Sequence, residues 1–263
     1  MSSATFRRRP AGTTVLGGAG VLLTLALWEA LPASGLVSAN EIPGALAVLD
    51  SLAALVGTGD FWRAVGATLA GAGLGLGIAV AIGVAVGTLM GSIGIVRNAL
   101  TPTVEFLRPV PGVALIPVAM LMFGPGLTSD VVLVTFGCVW VVIVQTQYGV
   151  RAADPVALQT AESFRMSRWA RIRFVQVPSS LPFIATGVRI ASSIALIVAV
   201  TAELISGNTG VGDSIAFAQS AARTEDMYAY IITAGILGVL AHLAFGGIER
   251  RLLHWHQSQR TGA

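Results

Sequence analysis

The chain has no lysine, one cysteine and few charged residues for its length. Of its 263 residues, 11% are charged and 54% are hydrophobic. A soluble domain of ordinary composition carries about a quarter charged residues. The shortage of charge therefore predicts an integral membrane protein. Because the apolar runs are continuous and do not alternate with polar residues, membrane helices are favoured over a membrane β-barrel.

Several kinds of chemistry are excluded by what is missing. Cys138 stands alone, which excludes disulfide frameworks and cysteine metal sites. The three histidines have no ligand spacing with nearby carboxylates, so no metal site is predicted. The sequence has no Walker A motif, HExxH motif or nucleophile elbow, and the glycines of 210–214 lack the lysine of a phosphate loop. No catalytic residue or bound cofactor is predicted, and any energy for uphill transport must come from elsewhere.

Six apolar segments have about the 20 residues that a helix needs to cross the hydrocarbon core. They span 13–31, 64–90, 104–123, 131–149, 183–205 and 229–247. The third contains Arg108, Pro111 and Pro117, so we expect it to be kinked and packed inside the protein. The basic N-terminus resembles a signal peptide, but no cleavage site stands out and a retained first helix is predicted. The interpretation is an all-α membrane protein with six transmembrane helices, flanked by tails at 1–12 and 248–263.

The arginines indicate a topology and not a nucleic-acid surface, because they cluster at the ends of the apolar segments. With a cytoplasmic N-terminus and six alternating helices, thirteen arginines lie in the cytoplasm, and Arg63 and Arg223 lie outside. Arg189 falls within a helix. This bias follows the positive-inside rule. We therefore expect a multi-pass protein of a bacterial plasma membrane, in contact with lipid, with both termini cytoplasmic and no nucleic-acid partner.

The second segment is rich in glycines spaced four residues apart, such as Gly71 with Gly75 and Gly83 with Gly87. Such pairs let helices approach closely in a membrane. Packing within one chain is the favoured reading, and close packing around a path between two subunits is the alternative. Outside the membrane, leucines recur every third residue from Leu46 to Leu55, which predicts a helix on the membrane surface. The sequence GNTGVGDS at 207–214 predicts a turn followed by a short helix.

Residues 154–182 form a basic, amphipathic segment between two apolar runs. Asp154 is a suitable N-cap, and Pro155 suits the first helical position. We expect one helix over 156–173, with Pro178 and Pro182 ending the element and starting the next membrane helix. Its apolar face would carry Ala157, Ala161, Phe164 and Arg168 at helical spacing. Two readings stay open: the helix docks onto another protein, or it lies on anionic lipid.

This segment resembles the EAA loop of ABC-transporter permeases. That loop reads Glu-Ala-Ala, then three residues and a Gly, then an aliphatic residue ten after the Gly, then Leu-Pro. The matching residues here are Gln159, Thr160, Ala161, Arg165, Val175, Val177 and Pro178, and Ser167 with Arg168 also fits. The stretches 106–126, 148–155 and 202–212 resemble the nitrate/sulfonate/taurine/bicarbonate branch of these permeases.

Two positions depart from the family pattern. Gln159 replaces the first Glu, and Arg165 replaces the Gly. In the family, that Gly allows a turn between two short cytoplasmic helices. An arginine is costly there if the backbone needs a positive φ, and costs little if the backbone is helical.

The resemblance implies a MetI-like permease core with a cytoplasmic coupling loop at 150–182. Its partners would be a second permease copy, most simply forming a homodimer, a cytoplasmic ABC ATPase dimer and an extracytoplasmic substrate-binding protein. ATP and Mg would be used by the ATPase. Ala161 is expected to pack into a cleft of that ATPase. The implied coupling residues are Gln159, Thr160, Ala161, Phe164, Arg165, Ser167, Arg168, Val175 and Pro178. The implied cargo is a small nutrient, either a sulfonate-, taurine- or nitrate-like anion or a vitamin-type heterocycle.

Candidates for the translocation path are Gln145, Pro111, Pro117, Arg189 and Glu203. An ionisable residue inside a membrane helix is a functional candidate by default. Glu203 would either contact substrate or make structural hydrogen bonds near the outer interface. Arg189 would either reach the interface along its flexible stem or attract an anion in the path. The rival functions are a secondary transporter or channel without an ATPase, for which an inverted repeat would be expected, and a membrane scaffold.

Overall fold

The computed structural model describes residues 11–35, 37–38 and 40–252. Every regular element in this part of the chain is helical. Five helices are long and apolar enough to cross a membrane, and a bent pair can supply a sixth span. The prediction of an all-α membrane protein is confirmed. Of the predicted cytoplasmic tails, residues 1–10 and 253–263 lie outside the described residues.

The five long spans are Leu16–Ala33, Gly59–Ser92, Leu127–Arg151, Arg168–Ser206 and Thr224–Glu249. The α-helices in chain order are α1 Ala11–Ala33, α2 Ala45–Val56, α3 Gly59–Ser92, α4 Gly94–Leu107, α5 Ile116–Phe123, α6 Leu127–Arg151, α7 Pro155–Ser163, α8 Arg168–Arg171, α9 Val177–Ser206, α10 Val211–Ser220 and α11 Thr224–Leu252. The last helix continues beyond residue 247, where the sequence predicted the membrane domain to end.

The glycines of α3 bring it into close contact with α6. A methyl group placed on Gly75 would lie 2.6 Å from Cβ of Val134, and one placed on Gly87 would lie 2.6 Å from the carbonyl oxygen of Ile143. Lipid is as apolar as the helices, so the hydrophobic effect does not hold membrane helices together. Close backbone contact stabilises them instead through van der Waals packing. This face of α3 serves packing within the chain. Glycines of α3 with open space around them are Gly66, Gly73 and Gly77.

The three central helices are α3, α6 and α9. Helices α3 and α6 run parallel, as shown by glycines further along α3 meeting residues further along α6. Helix α9 runs antiparallel to them, and the buried thiol of Cys138 on α6 donates to the carbonyl oxygen of Ala191 on α9, 3.3 Å away. Small buried residues such as Ala79 and Ala199 fill the core between these helices. The end of the bundle at Arg151 is called the loop end below, and the end with α2 and α10 is called the opposite end.

The third predicted span is broken and not merely kinked. Helix α4 ends at Leu107, a 3₁₀ turn covers Gly112–Leu115, and α5 follows. The two parts meet at 84°. Pro109 and Pro111 explain the break, since proline has no N–H to donate and disfavours helical geometry in the residue before it. The expectation of one kinked helix over 104–123 is corrected to two helices.

The opposite end contains the predicted surface helix α2. Leu46 and Leu49 are exposed, whereas Leu52 and Leu55 pack against a small core that includes Phe61. The helix is confirmed, but two of its four leucines face the protein. The turn predicted at 207–214 is present, with Gly207 at φ +68° ending α9 and with α10 beginning at Val211.

Candidate functional site

The candidate coupling segment connects α6, which ends at Arg151, to α8, which begins at Arg168. Its helix α7 starts as the sequence predicts. Asp154 is the N-cap, and its Oδ1 accepts a hydrogen bond of 2.8 Å from the backbone N–H of Val156. Pro155 takes the first helical position, where its missing N–H costs nothing. The start of this helix is therefore set locally by two adjacent residues.

Helix α7 ends at Ser163, so one helix over 156–173 is wrong. The backbone N–H of Met166 donates to the carbonyl of Ala161 at 3.0 Å, and that of Arg165 donates to Glu162 at 2.8 Å. These two bonds form a Schellman motif, which needs a left-handed residue after the helix. That residue is Arg165, at φ +54°. The chain turns here as the family Gly would allow, but with an arginine in the strained position.

Because a left-handed backbone costs an L-residue about 1–2 kcal/mol and costs glycine almost nothing, Arg165→Gly is expected to stabilise the folded chain. We expect the melting temperature of the detergent-solubilised chain to rise. The matched control is Arg173→Gly, an exposed arginine inside the following helix, which is expected to destabilise by about 1 kcal/mol. If both variants lower the melting temperature, Arg165 makes contacts that outweigh its backbone strain.

The second half of the segment continues directly into the membrane. The Oγ of Ser167 accepts a hydrogen bond of 3.2 Å from the backbone N–H of Ala170 and so caps α8. Five residues of wider π-type turns, Ile172–Gln176, then lead into α9 and contain Val175. Pro178 is the second residue of α9 and so stands at the start of the membrane helix, as predicted. Pro182 lies inside that helix, and neither proline ends an element. Proline has no N–H, so a carbonyl group in the preceding turn loses its donor. Wider turns help to provide that carbonyl with another partner.

The side chains of α7 divide into an inner and an outer face. Ala161 is only 5% exposed within the chain, whereas Val156 is 66% and Phe164 is 79% exposed. The expectation that Ala161 packs into a partner cleft is therefore corrected, since this side chain already packs against its own protein. The exposed face of α7 includes Val156, Ala157, Gln159, Thr160 and Ser163, and Phe164 continues it at the C-cap.

Basic side chains surround this face. Arg165, Arg168 and Arg173 are exposed. Arg171 forms an ion pair of 3.3 Å with Glu162, which joins α8 to α7 across the turn. Because Glu162 is largely exposed, the pair contributes on the order of 0–1 kcal/mol. The segment thus presents four large apolar side chains among these arginines, namely Val156, Phe164, Trp169 and Phe174.

Glu203 is 1% exposed and is held by other elements of the chain. Its Oε2 accepts hydrogen bonds from the hydroxyl of Thr68 at 2.8 Å and from the backbone N–H of Gly212 at 3.0 Å. The same Thr68 hydroxyl accepts from the backbone N–H of Val211 at 2.9 Å. These N–H groups belong to the first turn of α10, where backbone N–H groups have no acceptor within their own helix. Glu203 therefore caps α10 and joins it to α3 and α9.

Glycines and a second polar group complete this cluster. A methyl group on Gly210 would overlap the carboxyl group of Glu203. Nearby, the side-chain amide of Asn208 donates to Oδ1 of Asp130 at 2.8 Å and to the hydroxyl of Ser129 at 3.2 Å. Neither Asn208 nor Asp130 was predicted from the sequence as a site residue. A part for Glu203 in the translocation path stays a prediction.

The other path candidates lie apart from Glu203. Arg189 forms an ion pair of 3.1 Å with Glu249 of α11, and the Thr186 hydroxyl donates to the same carboxylate at 3.4 Å. Fourteen residues separate Arg189 from Glu203 along α9, or about 21 Å of helix at about 1.5 Å per residue. The structure does not bring these two side chains together.

Gln145 lies on α6 beside Gly187 of α9, where a methyl group would come within 2.9 Å of its Cβ. The two path candidates in the broken third span, Pro111 and Pro117, are exposed. Pro111 precedes the 3₁₀ turn, and Pro117 is the second residue of α5. Their place in a path also stays a prediction.

Residues 73–254 match the family of binding-protein-dependent transport system inner membrane components. The match covers well over half of the chain and includes α7, Asp130, Glu203 and Asn208. The chain belongs to this family of ABC-transporter permeases. Its members are multi-pass transport subunits and not enzymes. The family prediction made from the EAA-like residues is confirmed.

Individual relatives narrow the branch of the family. The chain is 32% identical over 249 residues to the taurine transport system permease protein TauC of Escherichia coli, covering 93% of this chain and 90% of that protein. It is 28% identical to the putative aliphatic sulfonates transport permease protein SsuC of Bacillus subtilis, covering 89% and 85%. It is also 28% identical to the riboflavin transport system permease protein RibX of Chloroflexus aurantiacus, covering 90% and 89%.

A solved structure shares the fold. The inward-facing MetNI methionine ABC transporter contains a chain that superimposes with a TM-score of 0.65 at 19% identity, covering 73% of this permease and 96% of that chain. At this identity the likeness concerns the fold alone. The MetI-like arrangement predicted from the sequence is confirmed.

Proposed function

We propose that this permease is the membrane-spanning subunit of an ATP-driven importer for a small sulfonate-type anion. A cytoplasmic ABC ATPase dimer would bind the exposed face of α7 and would use ATP and Mg. The observation that carries this proposal is the position of Phe164, which is 79% exposed at the end of a capped, braced helix. Exposed apolar side chains mark protein contacts when they occur as a group, and Val156, Trp169 and Phe174 of the same segment are exposed as well.

The connection between α7 and the membrane supports a mechanical role for this contact. The Schellman turn at Arg165 sets the direction in which the chain leaves α7, and the Arg171–Glu162 pair adds a weak contact between α8 and α7. Helix α8 passes without a loop into the span that ends at Ser206. A pull on α7 would therefore displace α9, which packs against α3 and α6. Rigid-body switching between two packings of these helices is a physically reasonable response.

The cargo is inferred from relatives. TauC and SsuC are named for the transport of taurine and aliphatic sulfonates. RibX is named for riboflavin transport, which keeps a vitamin-type heterocycle as the second candidate. We favour the sulfonate class because the taurine permease matches 93% of this chain at 32% identity. An extracytoplasmic binding protein would select the cargo and deliver it to the opposite end.

The orientation follows from charge. The loop end carries Arg97, Arg151 and the arginines of the coupling segment, whereas the opposite end carries acidic residues that include Asp50, Asp60 and Asp226. Under the positive-inside rule the loop end faces the cytoplasm. Both termini would then be cytoplasmic in the plasma membrane of a bacterium. A second copy of the chain would complete the path as a homodimer.

A secondary transporter is the rival function, and the structure offers it less support. Such proteins place ionisable residues at the middle of the membrane for ions or protons. Here Arg189 is paired with Glu249, and Glu203 caps α10. Both side chains already have partners within the chain.

Purification of the tagged chain from its native membrane in mild detergent tests the proposal. We expect an ABC ATPase subunit to be recovered in equal amount, and cells lacking the permease to lose uptake of labelled taurine. Recovery of the chain alone as a homo-oligomer would favour the secondary transporter. Recovery of the ATPase with taurine uptake unchanged would retain the importer and reject the sulfonate assignment.

A further inference from the structure

A cleft of about 550 Å³ opens at the loop end of the bundle. Its walls are α4 and the last turns of α3 and α6, from Met90 of α3 to Arg151 at the end of α6. The third wall exists as a separate helix because the break at Pro109 and Pro111 turns α4 by 84° from the segment that follows. The cleft lies beside the coupling segment, and Arg151 is the one residue of the range 150–182 that lines it.

The charge of this cleft is strongly unbalanced. Three guanidinium groups line it, from Arg97, Arg108 and Arg151, against one carboxylate, from Glu105. Within the described residues, none of the four forms an ion pair, since the four pairs present there involve other side chains. The three arginines and Glu105 therefore give the lining a net formal charge of +2.

The three arginines line the cleft from two helices, and Arg97 and Arg108 are about 16 Å apart along α4. Arg97 lies in the first turn of α4, Arg108 is its C-cap, and Arg151 ends α6. Neutral side chains that can donate hydrogen bonds, Asn98, Gln147 and Tyr148, line the same space. Arginines that only orient a membrane protein need not converge, because each can reach the lipid surface by itself. Here three arginines share one cleft with neutral hydrogen-bond donors, a composition that suits an anion.

We propose that this cleft binds an oxyanion of the sulfonate, sulfate or phosphate class. The planar guanidinium group donates two parallel hydrogen bonds to such oxygens, and a bound anion would offset the net positive charge of the lining. Glu105 limits the affinity by placing one negative charge against the ligand. Two sources offer this chemistry, a free anion in the cytoplasm and the phosphate of an anionic lipid. The proposal does not depend on docking of an ATPase at α7.

The first arm of the test uses free sulfate. The purified full-length chain, washed free of anionic lipid in neutral detergent, is titrated with sodium sulfate against a sodium chloride reference by calorimetry. We expect Arg151→Gln and Arg97→Gln each to weaken binding about tenfold or more, as for loss of a hydrogen bond to a charged group. Glu105→Gln is expected to tighten binding. Arg63→Gln, at the opposite end, is the control that should leave binding unchanged.

The second arm distinguishes the lipid source. Native mass spectrometry counts retained phosphatidylglycerol and phosphatidylcholine on the same variants. Phosphatidylglycerol lost from Arg151→Gln and Arg97→Gln, but retained by Arg63→Gln, identifies a lipid headgroup site. Sulfate binding with the same dependence identifies a free-anion site. If neither sulfate nor phosphatidylglycerol binding depends on these arginines in chains that remain folded, the proposal is overturned.

Discussion

Replacing Phe164 with aspartate is expected to reduce recovery of the ATPase with the tagged permease to a tenth or less. Phe164 is 79% exposed, and its neighbour on the exposed face, Val156, is 66% exposed. Apolar residues at the centre of an interface commonly contribute 2 kcal/mol or more, which is about a thirtyfold change in affinity. A buried charge in the same place adds a desolvation cost. Quantification of both subunits after purification measures the effect.

The matched control for this experiment lies on α2. Leu46 is 66% exposed, as Val156 is, but it belongs to the opposite end of the bundle. Val156→Asp is expected to lower ATPase recovery, and Leu46→Asp is expected to leave it unchanged. Both variants must elute as folded protein in size-exclusion chromatography. Full recovery of the ATPase with Phe164→Asp would place the docking surface elsewhere than on α7.

Ala161 shows how the sequence misdirected this choice of residue. Its spacing with Ala157 and Phe164 indicated an apolar face, and the resemblance suggested that this face met the partner. In the structure Ala161 is buried while Phe164 points outward, because the helix stops between them at Ser163. Ala161→Asp would damage packing within the coupling segment, so a loss of assembly would not report docking.

The helix end itself was foreseeable only from the family pattern. Phe164, Arg165 and Met166 carry no local stop signal, since none of them is glycine, asparagine or proline. The family Gly at the position of Arg165 was the available clue. The observed φ of +54° shows that the position keeps the conformation that a Gly would favour. The arginine at position 165 therefore gave no sign of the left-handed turn that the surrounding fold imposes there.

The spans were predictable because their signal is local, and the polar cluster was not. Continuous apolar runs identify helices without knowledge of their neighbours. The partner of Glu203 is Thr68, 135 residues earlier in the chain, and Asn208 meets Asp130 at a separation of 78. Nothing in the sequence near Glu203 specifies these distant hydroxyl and amide groups. The prolines of the third span likewise predicted a disturbance, but not its 84° angle.

The contact between α3 and α6 leads to the second prediction with a large effect. Gly87→Ala is expected to destabilise the chain by about 1–3 kcal/mol, the usual cost of overpacking a core. The added methyl group would lie 2.6 Å from the carbonyl oxygen of Ile143 and 2.7 Å from Cβ of Thr146. Backbone atoms cannot move aside as the end of a long side chain can, so the two helices would have to separate. A thermal melt followed by tryptophan fluorescence measures the loss.

Gly77→Ala is the matched control, because it places the same substitution on the same helix where no atom lies within 4 Å. It is expected to raise stability slightly, since alanine favours a helix over glycine by about 0.5–1 kcal/mol. Opposite signs for the two variants would show that the glycines of α3 act by position and not by composition. If both variants destabilise equally in isolated chains, the separation of α3 into a packed face and an open face is wrong. Normal melting of Gly77→Ala together with loss of the dimer would place the open face against the second copy.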